Sequence, residues 1–316
     1  MKKLLLALSL LMGPCLALAQ AYPSKPIRLV VPFPPGGTTD LIARMVQPKF
    51  QEFLGQSVVI ETKAGAGGSV GAADVAQSAP DGYTLLLVFD THAVNHHIYK
   101  VAPDPFKSFD HLMLMVTSPS TLIGVSKFAP STLQELVAHA KANPGRVTYA
   151  TAGAASSNHL GALLLEQVAG IKMTHVHYKG GGPMIQAVLG SQIDVAFFST
   201  PLILPHIQAG KVKAIAVGGK QRIPVLPNVA TMSETYPGFE QFSWFGILAP
   251  RGTPQAAGER IRREMARTLE FPEVKQRLQE RGFDIVASGP EEFLRFVRAE
   301  SDKLGKLIRD NNIAAE

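Results

Sequence analysis

Apolar positions between residues 27 and 54 change period once, and the change marks a theme that the rest of the chain repeats. Leu29, Val30 and Val31 run without polar alternation, the pattern of a strand buried on both faces of a parallel sheet covered by helices. Pro34 and Pro35 cannot extend a ladder, and Gly36 and Gly37 allow a tight loop, so the strand ends there. Beyond the glycines, Leu41, Ile42, Met45, Val46, Phe50, Phe53 and Leu54 recur at helical spacing, with Gly37 or Thr38 as N-cap and Asp40 in the first turn. Pro48 predicts a kink in that helix. A helix start facing the loop offers unsatisfied N–H groups and the positive end of the helix dipole, a site for an anion that needs no lysine or arginine. From this stretch alone, a plain strand-to-helix corner is an equal reading.

The same alternation continues. A strand over 57–61 enters a second glycine-rich turn, AGAGGSVGAADVA, and a strand over 83–89 ends at Asp90-Thr91-His92. An apolar segment over 112–125 is interrupted by Thr-Ser-Pro-Ser at 117–120, a candidate crossing between domains. Then come a helix over 131–142, a strand over 147–150, and a small-residue turn into a helix with Leu160, Leu163, Leu164 and Val168 inward. Ser156, Ser157 and Asn158 are all good N-cap residues for that helix. Strands follow over 175–178, 194–198 and 212–217, with a turn at 179–182 and a polar loop at Ser199 and Thr200. The run over 242–249 reads as the return crossing, and Thr253-Pro254 starts a helix with proline at its first position. A helix from Pro272 to Gly282, a strand over 283–287 and a last helix to about 311 complete the chain. Strands alternating with helices give an α/β fold, and in a parallel sheet the loops at the carboxyl ends of the strands converge on one edge.

Composition adds export to this picture. A chain of 316 residues suits two domains, and 46% hydrophobic with 18% charged residues is a globular composition. Lys2 and Lys3, the apolar run 4–12 and Ala17-Leu18-Ala19 have the layout of a secretory signal peptide, so the mature protein begins near Gln20. No later stretch approaches the roughly 20 apolar residues of a membrane span. Cys15, the only cysteine, lies inside the leader, and Pro14 before it fits a lipoprotein attachment site poorly. Removing Lys2 and Lys3 lowers the formal charge of +6 by two, a mild and dispersed basicity that does not suggest nucleic acid as a partner.

Several motifs suggest chemistry and lose to plainer readings. Gly65, Gly67 and Gly71 with Asp90 imitate a dinucleotide-binding fingerprint, but the spacing departs from it and export in an unfolded state argues against a preloaded cofactor. His92 and His96 are four apart with Ala93 in place of a glutamate, and His175 and His177 share a strand face; structural roles are the better reading than a metal. Ser156 with His159, or Ser199 with Asp194, would suit a hydrolase, yet no G-x-S-x-G sequence exists and these serines fall where helix caps are needed. Lys179 among glycines lacks the full P-loop spacing.

The ordered segments PSKPIRLVVPFPPGGTTDLIAR, AGAGGSVGA, APDGYTLLL, THAVN, KANPGRVTYATAG, HYKGG and WFGILAPRGTP resemble the Bug family, the periplasmic substrate-binding proteins of tripartite tricarboxylate transporters, along essentially the whole mature chain. The resemblance implies a Venus-flytrap fold of two α/β lobes, similar to type II binding proteins, with two crossing strands. Residues 1–19 would be the leader, 20–118 with 247–316 one lobe, and 119–246 the other. It further implies a noncatalytic, monomeric receptor in the periplasm, without metal or cofactor, that delivers an organic carboxylate to a membrane permease. Carried onto this chain, the ligand residues are Phe33, Gly36, Gly37, Thr38 and Thr39 in the first loop, Ala66 and Gly67, Thr91 and His92, then Ser156, Ser157, Asn158, Gly181 and Phe198 from the second lobe. Many relatives carry an acidic residue where Phe198 stands, and ATAGAASSNHL replaces their commoner G-x-G-S-P-S-H-L. The first departure points to an aromatic or otherwise amine-free carboxylate. The competing reading is an exported enzyme acting on a small carboxylate or ester, or a dinucleotide-dependent oxidoreductase.

Overall fold

The computed structural model of the protein describes residues 22–314, so the expected leader and Cys15 lie outside the described residues. In chain order the elements are β1 (Ile27–Val31), α1 (Thr38–Leu54), β2 (Val58–Thr62), α2 (Ser69–Ala76), β3 (Thr84–Phe89), β4 (Phe109–Val125), α3 (Leu133–Ala142), β5 (Thr148–Thr151), α4 (Ser157–Ala169) and β6 (Thr174–His177). There follow α5 (Gly181–Leu189), β7 (Val195–Ser199), α6 (Thr200–Gln208), β8 (Val212–Val217), α7 (Met232–Thr235), β9 (Phe242–Pro250), α8 (Gln255–Glu270), α9 (Pro272–Glu280), β10 (Asp284–Ile285) and α10 (Pro290–Asp310). The fold is the mixed α/β, two-lobed binding-protein architecture that the alternating pattern and the resemblance imply.

In the first lobe β1 pairs in parallel with β2 and β3, and β9 runs antiparallel between β3 and β4. Unbroken apolar strands are required because both faces are covered. Ile27, Leu29 and Val31 pack with Ile42 and Phe50 of α1 and Ile261 and Leu269 of α8. Val30, turned the other way by the period of two, packs with Val75 of α2 and Phe293 and Val297 of α10. Gly246 of β9 makes room for that layer, since a Cβ there would lie 2.2 Å from Cζ of Phe293.

The second lobe forms around the other half of β4. Residues 120–124 pair with β7 and residues 121–125 with β8, while β5 and β6 extend the sheet in parallel beyond β7. The Thr-Ser-Pro-Ser sequence at 117–120 does not interrupt β4. Pro119 occupies the last register pair with β9, opposite Phe242, and Ser120 opens the ladder with β7, so the residue lacking an N–H falls where one partner replaces another. Where the chain passes between lobes, Ser120 N–H donates to Gln241 C=O (3.0 Å), Gln241 N–H to Gly218 C=O (2.9 Å), and Gly218 N–H to Ser120 C=O (2.7 Å).

α1 continues as a helix through Pro48, with Met45, Val46 and Phe50 buried around it. Other local details depart from the sequence pattern. Ser199 and Thr200 form no loop: Ser199 is the N-cap of α6, and Pro201 in its first turn needs no N–H partner. Pro254 is the N-cap of α8 rather than its first helical residue. The strand expected over 283–287 shortens to two residues, because Ala287 turns to a positive φ of 49°.

The passage point allows no side chain at Gly218, where a Cβ would stand 2.1 Å from Gln241 C=O, a backbone atom that cannot swing aside. Gly218→Ala should lower unfolding stability by about 1–3 kcal/mol, the cost of overpacking. Urea denaturation reads this as a lower midpoint; an unchanged midpoint would mean that the crossing relaxes freely.

Candidate functional site

The first turn of α1 has no side-chain cap: Gly37 occupies the N-cap, and the first intrahelical bond runs from Leu41 N–H to Gly37 C=O (3.0 Å). The amides of Thr38, Thr39 and Asp40 precede that bond and have no place in the helical ladder. Asp40, the acid in this turn, is buried and folds back on the loop, accepting from Gly36 N–H at 3.1 Å and pairing with Arg44 Nε at 3.0 Å. Arg44 offsets that carboxylate's charge at the helix end.

Beside it, the second glycine-rich turn is shaped by its own hydrogen bonds. Thr91 Oγ1 and Asn95 Nδ2 both donate to Gly67 C=O at 2.9 Å. Gly65, Gly67 and Gly68 have positive φ, and a Cβ on Gly67 would lie 2.9 Å from Asn95 Oδ1. Gly71 is needed for packing, because a Cβ there would meet Pro32 and the Lys63 carbonyl. The glycine spacing that imitates a dinucleotide fingerprint is therefore accounted for by backbone path. Asp90 is also occupied elsewhere, lining a separate small crevice with Ser157, Gln241 and Glu300. Burial drives its carboxyl well above the usual range, and Glu300 adds repulsion.

Opposite α1, three helices of the second lobe begin. α4 starts at Ser156, whose Oγ accepts from His159 N–H (3.4 Å) and donates to Gly153 C=O (2.6 Å). Asn158 locks the preceding loop to β7, accepting from Ala152 N–H (3.0 Å) and donating to Phe197 C=O (3.2 Å). α5 starts at Gly180, again without a side-chain cap, and Pro34 of the first lobe lies against that glycine. α6 starts at Ser199, whose hydroxyl meets Thr38 Oγ1 at 2.5 Å across the lobes. Within the second lobe, Gln241 Nε2 donates to Ser157 C=O at 2.6 Å. The cleft is closed.

Between these helix starts lies a cavity of about 70 Å³. Of the residues expected at a ligand, Phe33, Gly37, Thr38, Thr39, Gly67, Thr91, Ser156, Asn158, Gly181 and Phe198 line it. Four others do not. Gly36 is exposed with φ of 82° and its N–H on Asp40, and Ala66 sits outside the wall at φ of 46°. His92 is buried edge-on against Phe109 (5.2 Å between centroids), and Ser157 turns into the Asp90 crevice. The cavity also recruits Pro34, Phe89, the small residues Ala152, Gly153 and Ala154, Gly180, Ser199 and Leu202. Phe89 packs edge-on to Phe33 (5.6 Å) and presents a continuous apolar wall. Phe198 contributes to the lining while remaining a buried member of the second-lobe core. No lysine, arginine, histidine, aspartate or glutamate lines the cavity. Among the described residues no cluster of three or more histidine, aspartate or glutamate side chains is placed to hold a metal.

Two α/β lobes joined by a shared strand, with uncapped helix starts from both meeting at a closed cavity, define a periplasmic binding protein. Residues 42–313 match the model of the tripartite tricarboxylate transporter family receptor, TctC, and the chain belongs to that family. It is 32% identical to BugT of Bordetella pertussis, over 92% of this chain and 91% of that protein. Among solved structures it is similar to MatC from Rhodopseudomonas palustris with bound malate, at 31% identity and a TM-score of 0.84 over 91% of this chain and all of that one. It is also similar to R. palustris Rpa4515 with adipate, at 29% identity and a TM-score of 0.88 over 93% of this chain and 99% of that one. Among the described residues no helix is long and apolar enough to cross a membrane.

The wall formed by Ala152 to Ser156 depends on a neutral histidine. His159 Nδ1 accepts from Ala155 N–H (3.2 Å), and its ring stacks on His175 with centroids 4.2 Å apart. Burial, helped by His175 and His177, pushes its pKa down to about 4, and burial likewise lowers His111 to about 4 and His92 to about 3. Because unfolding restores a pKa of about 6.5, the unfolded chain binds more protons below that value. These three histidines should therefore contribute in full above about pH 6.5 and lose that contribution as pH falls toward 4, each by at most about 1.4 kcal/mol per pH unit, while the raised carboxyl of buried Asp90 acts in the opposite sense. His159→Asn, which keeps an acceptor and does not titrate, should show a shallower decline in melting temperature; a slope equal to wild type would remove His159 from this account.

Proposed function

We propose that the protein is a periplasmic receptor that captures an organic carboxylate between its lobes and delivers it to the membrane permease of a tripartite tricarboxylate transporter. The observation that carries this reading is a closed cavity lined by the first turns of four helices and by no ionisable side chain. Backbone N–H groups and aligned helix dipoles favour an anion at such a place, and a carboxylate fits them. The malate and adipate of the two Rhodopseudomonas structures support the same ligand chemistry. On the register of β4 and β9 we divide the chain after residue 119 and before residue 242, which assigns 119 and 242–246 to the first lobe. The leader would export the chain, and the mature protein would act as a monomer.

The reading also accounts for the serines. The hydroxyl of Ser156 is engaged on both sides, and the near nitrogen of His159 accepts a backbone proton, so the pair has no arrangement for activating a nucleophile. Capture without chemistry is what these residues support.

Thr39 is the most direct test, because its buried side chain lines the cavity and its hydroxyl has no hydrogen bond among the described residues. A thermal-shift screen of carboxylates should find a stabilising ligand, worth about 2.7 kcal/mol at 100 times its dissociation constant. Thr39→Val should weaken that ligand by about 1–3 kcal/mol in calorimetry. Failure of every carboxylate to raise the melting temperature, or conversion of one to product by the purified protein, would overturn the proposal.

A further inference from the structure

We propose that the crevice holding Asp90 is a proton site that couples closure of the lobes to acidity, so that the lobes take up a proton as they close over Asp90 and part more readily when it is lost. The crevice lies on the seam. Asp90, Val94, Glu300 and Leu304 of the first lobe form one wall, and Ala155, Ser157 and Leu160 of the second form the other. Its volume is about 20 Å³, room for one water. Asp90 is 5% exposed, and its Oδ2 has no hydrogen-bond partner among the described residues. A charged carboxylate held there gives up its hydration without a cation in exchange.

The groups on each side of Asp90 lead to the same balance. α10 contributes Glu300, whose own carboxyl is raised by burial and by Glu240, and Lys303, which is exposed at the rim and forms no ion pair with Asp90 among the described residues. Glu240, ahead of β9, is paired with exposed Lys220 at 3.4 Å. α4 brings the hydroxyl of Ser157 and β9 that of Ser243; with the Thr91 amide they favour the ionised form, but burial outweighs them. His92 of the same turn packs on Phe109 and His159 of α4 on His175, both kept neutral by burial. The three carboxyls are not placed to share a metal ion. A proton neutralises Asp90 where no cation does. Opening withdraws the wall of Ala155, Ser157 and Leu160, admits water, and returns the carboxyl toward its ordinary range. The closed form thus binds more protons than the open one, and acidification favours closure by at most about tenfold in the closed-to-open ratio per pH unit for one proton.

Small-angle scattering of the ligand-free protein from about pH 8 to about pH 5.5 tests this, with near-ultraviolet circular dichroism confirming that the fold persists at each step. The wild-type radius of gyration should fall as pH is lowered. Asp90→Asn, neutral at every pH, should be compact throughout, and Glu300→Gln, which removes a repelling charge, should move the transition to lower pH. His159→Asn should respond as wild type does. A wild-type radius that does not change with pH, or a full response retained by Asp90→Asn, would overturn the proposal. If Asp90→Asn does not fold, an unshifted transition in Glu300→Gln overturns it instead. No carboxylate enters the experiment, so each of these results leaves the proposed ligand chemistry standing.

Discussion

Seventeen residues of β4 bond to β9 and β10 over one part and to β7 and β8 over the other, so both lobe cores are fixed to a single strand. The mutual bonds of Ser120, Gly218 and Gln241 pin the place where allegiance changes. Elsewhere the lobes meet through side chains and loops: Thr38 with Ser199, Pro34 against Gly180, and Ala155 and Leu160 in the apolar cluster of Trp244 and Phe293. A joint of this kind holds the cores rigid and leaves their separation to a small set of side-chain contacts, which is the mechanical condition for closing on a solute.

Much of this was legible in the residues. The unbroken run of β1 announced helices on both faces, and the core shows why: its alternate side chains feed two different hydrophobic layers. Gly37 and Thr38 marked a helix start because the period changes there. What could not be read was orientation. His92 follows Thr91 and Ser157 follows Ser156, yet one turn of backbone sends the second member of each pair away from the cavity. Phe89 looked like one more core residue at the end of an apolar strand, and Ala152 to Ala154 carry no chemical signal at all. The contact of Thr38 with Ser199 joins positions 161 apart, a relation that no local pattern contains. Pro119 misled for the opposite reason: its local signal to stop a strand was correct in isolation and was overridden by an exchange of partners along β4.

A helix start without a charged cap has one further consequence. The field in the cavity is made by peptide groups, and peptide groups have no proton to gain or lose across the range in which a cell envelope acidifies or turns alkaline. Arginine or histidine would have tied the polarity of the site to a counter-ion or to a titration midpoint. Here the polarity is as permanent as the secondary structure that creates it. The lining itself holds no ionisable side chain, so the binding surface behaves as a fixed electrode.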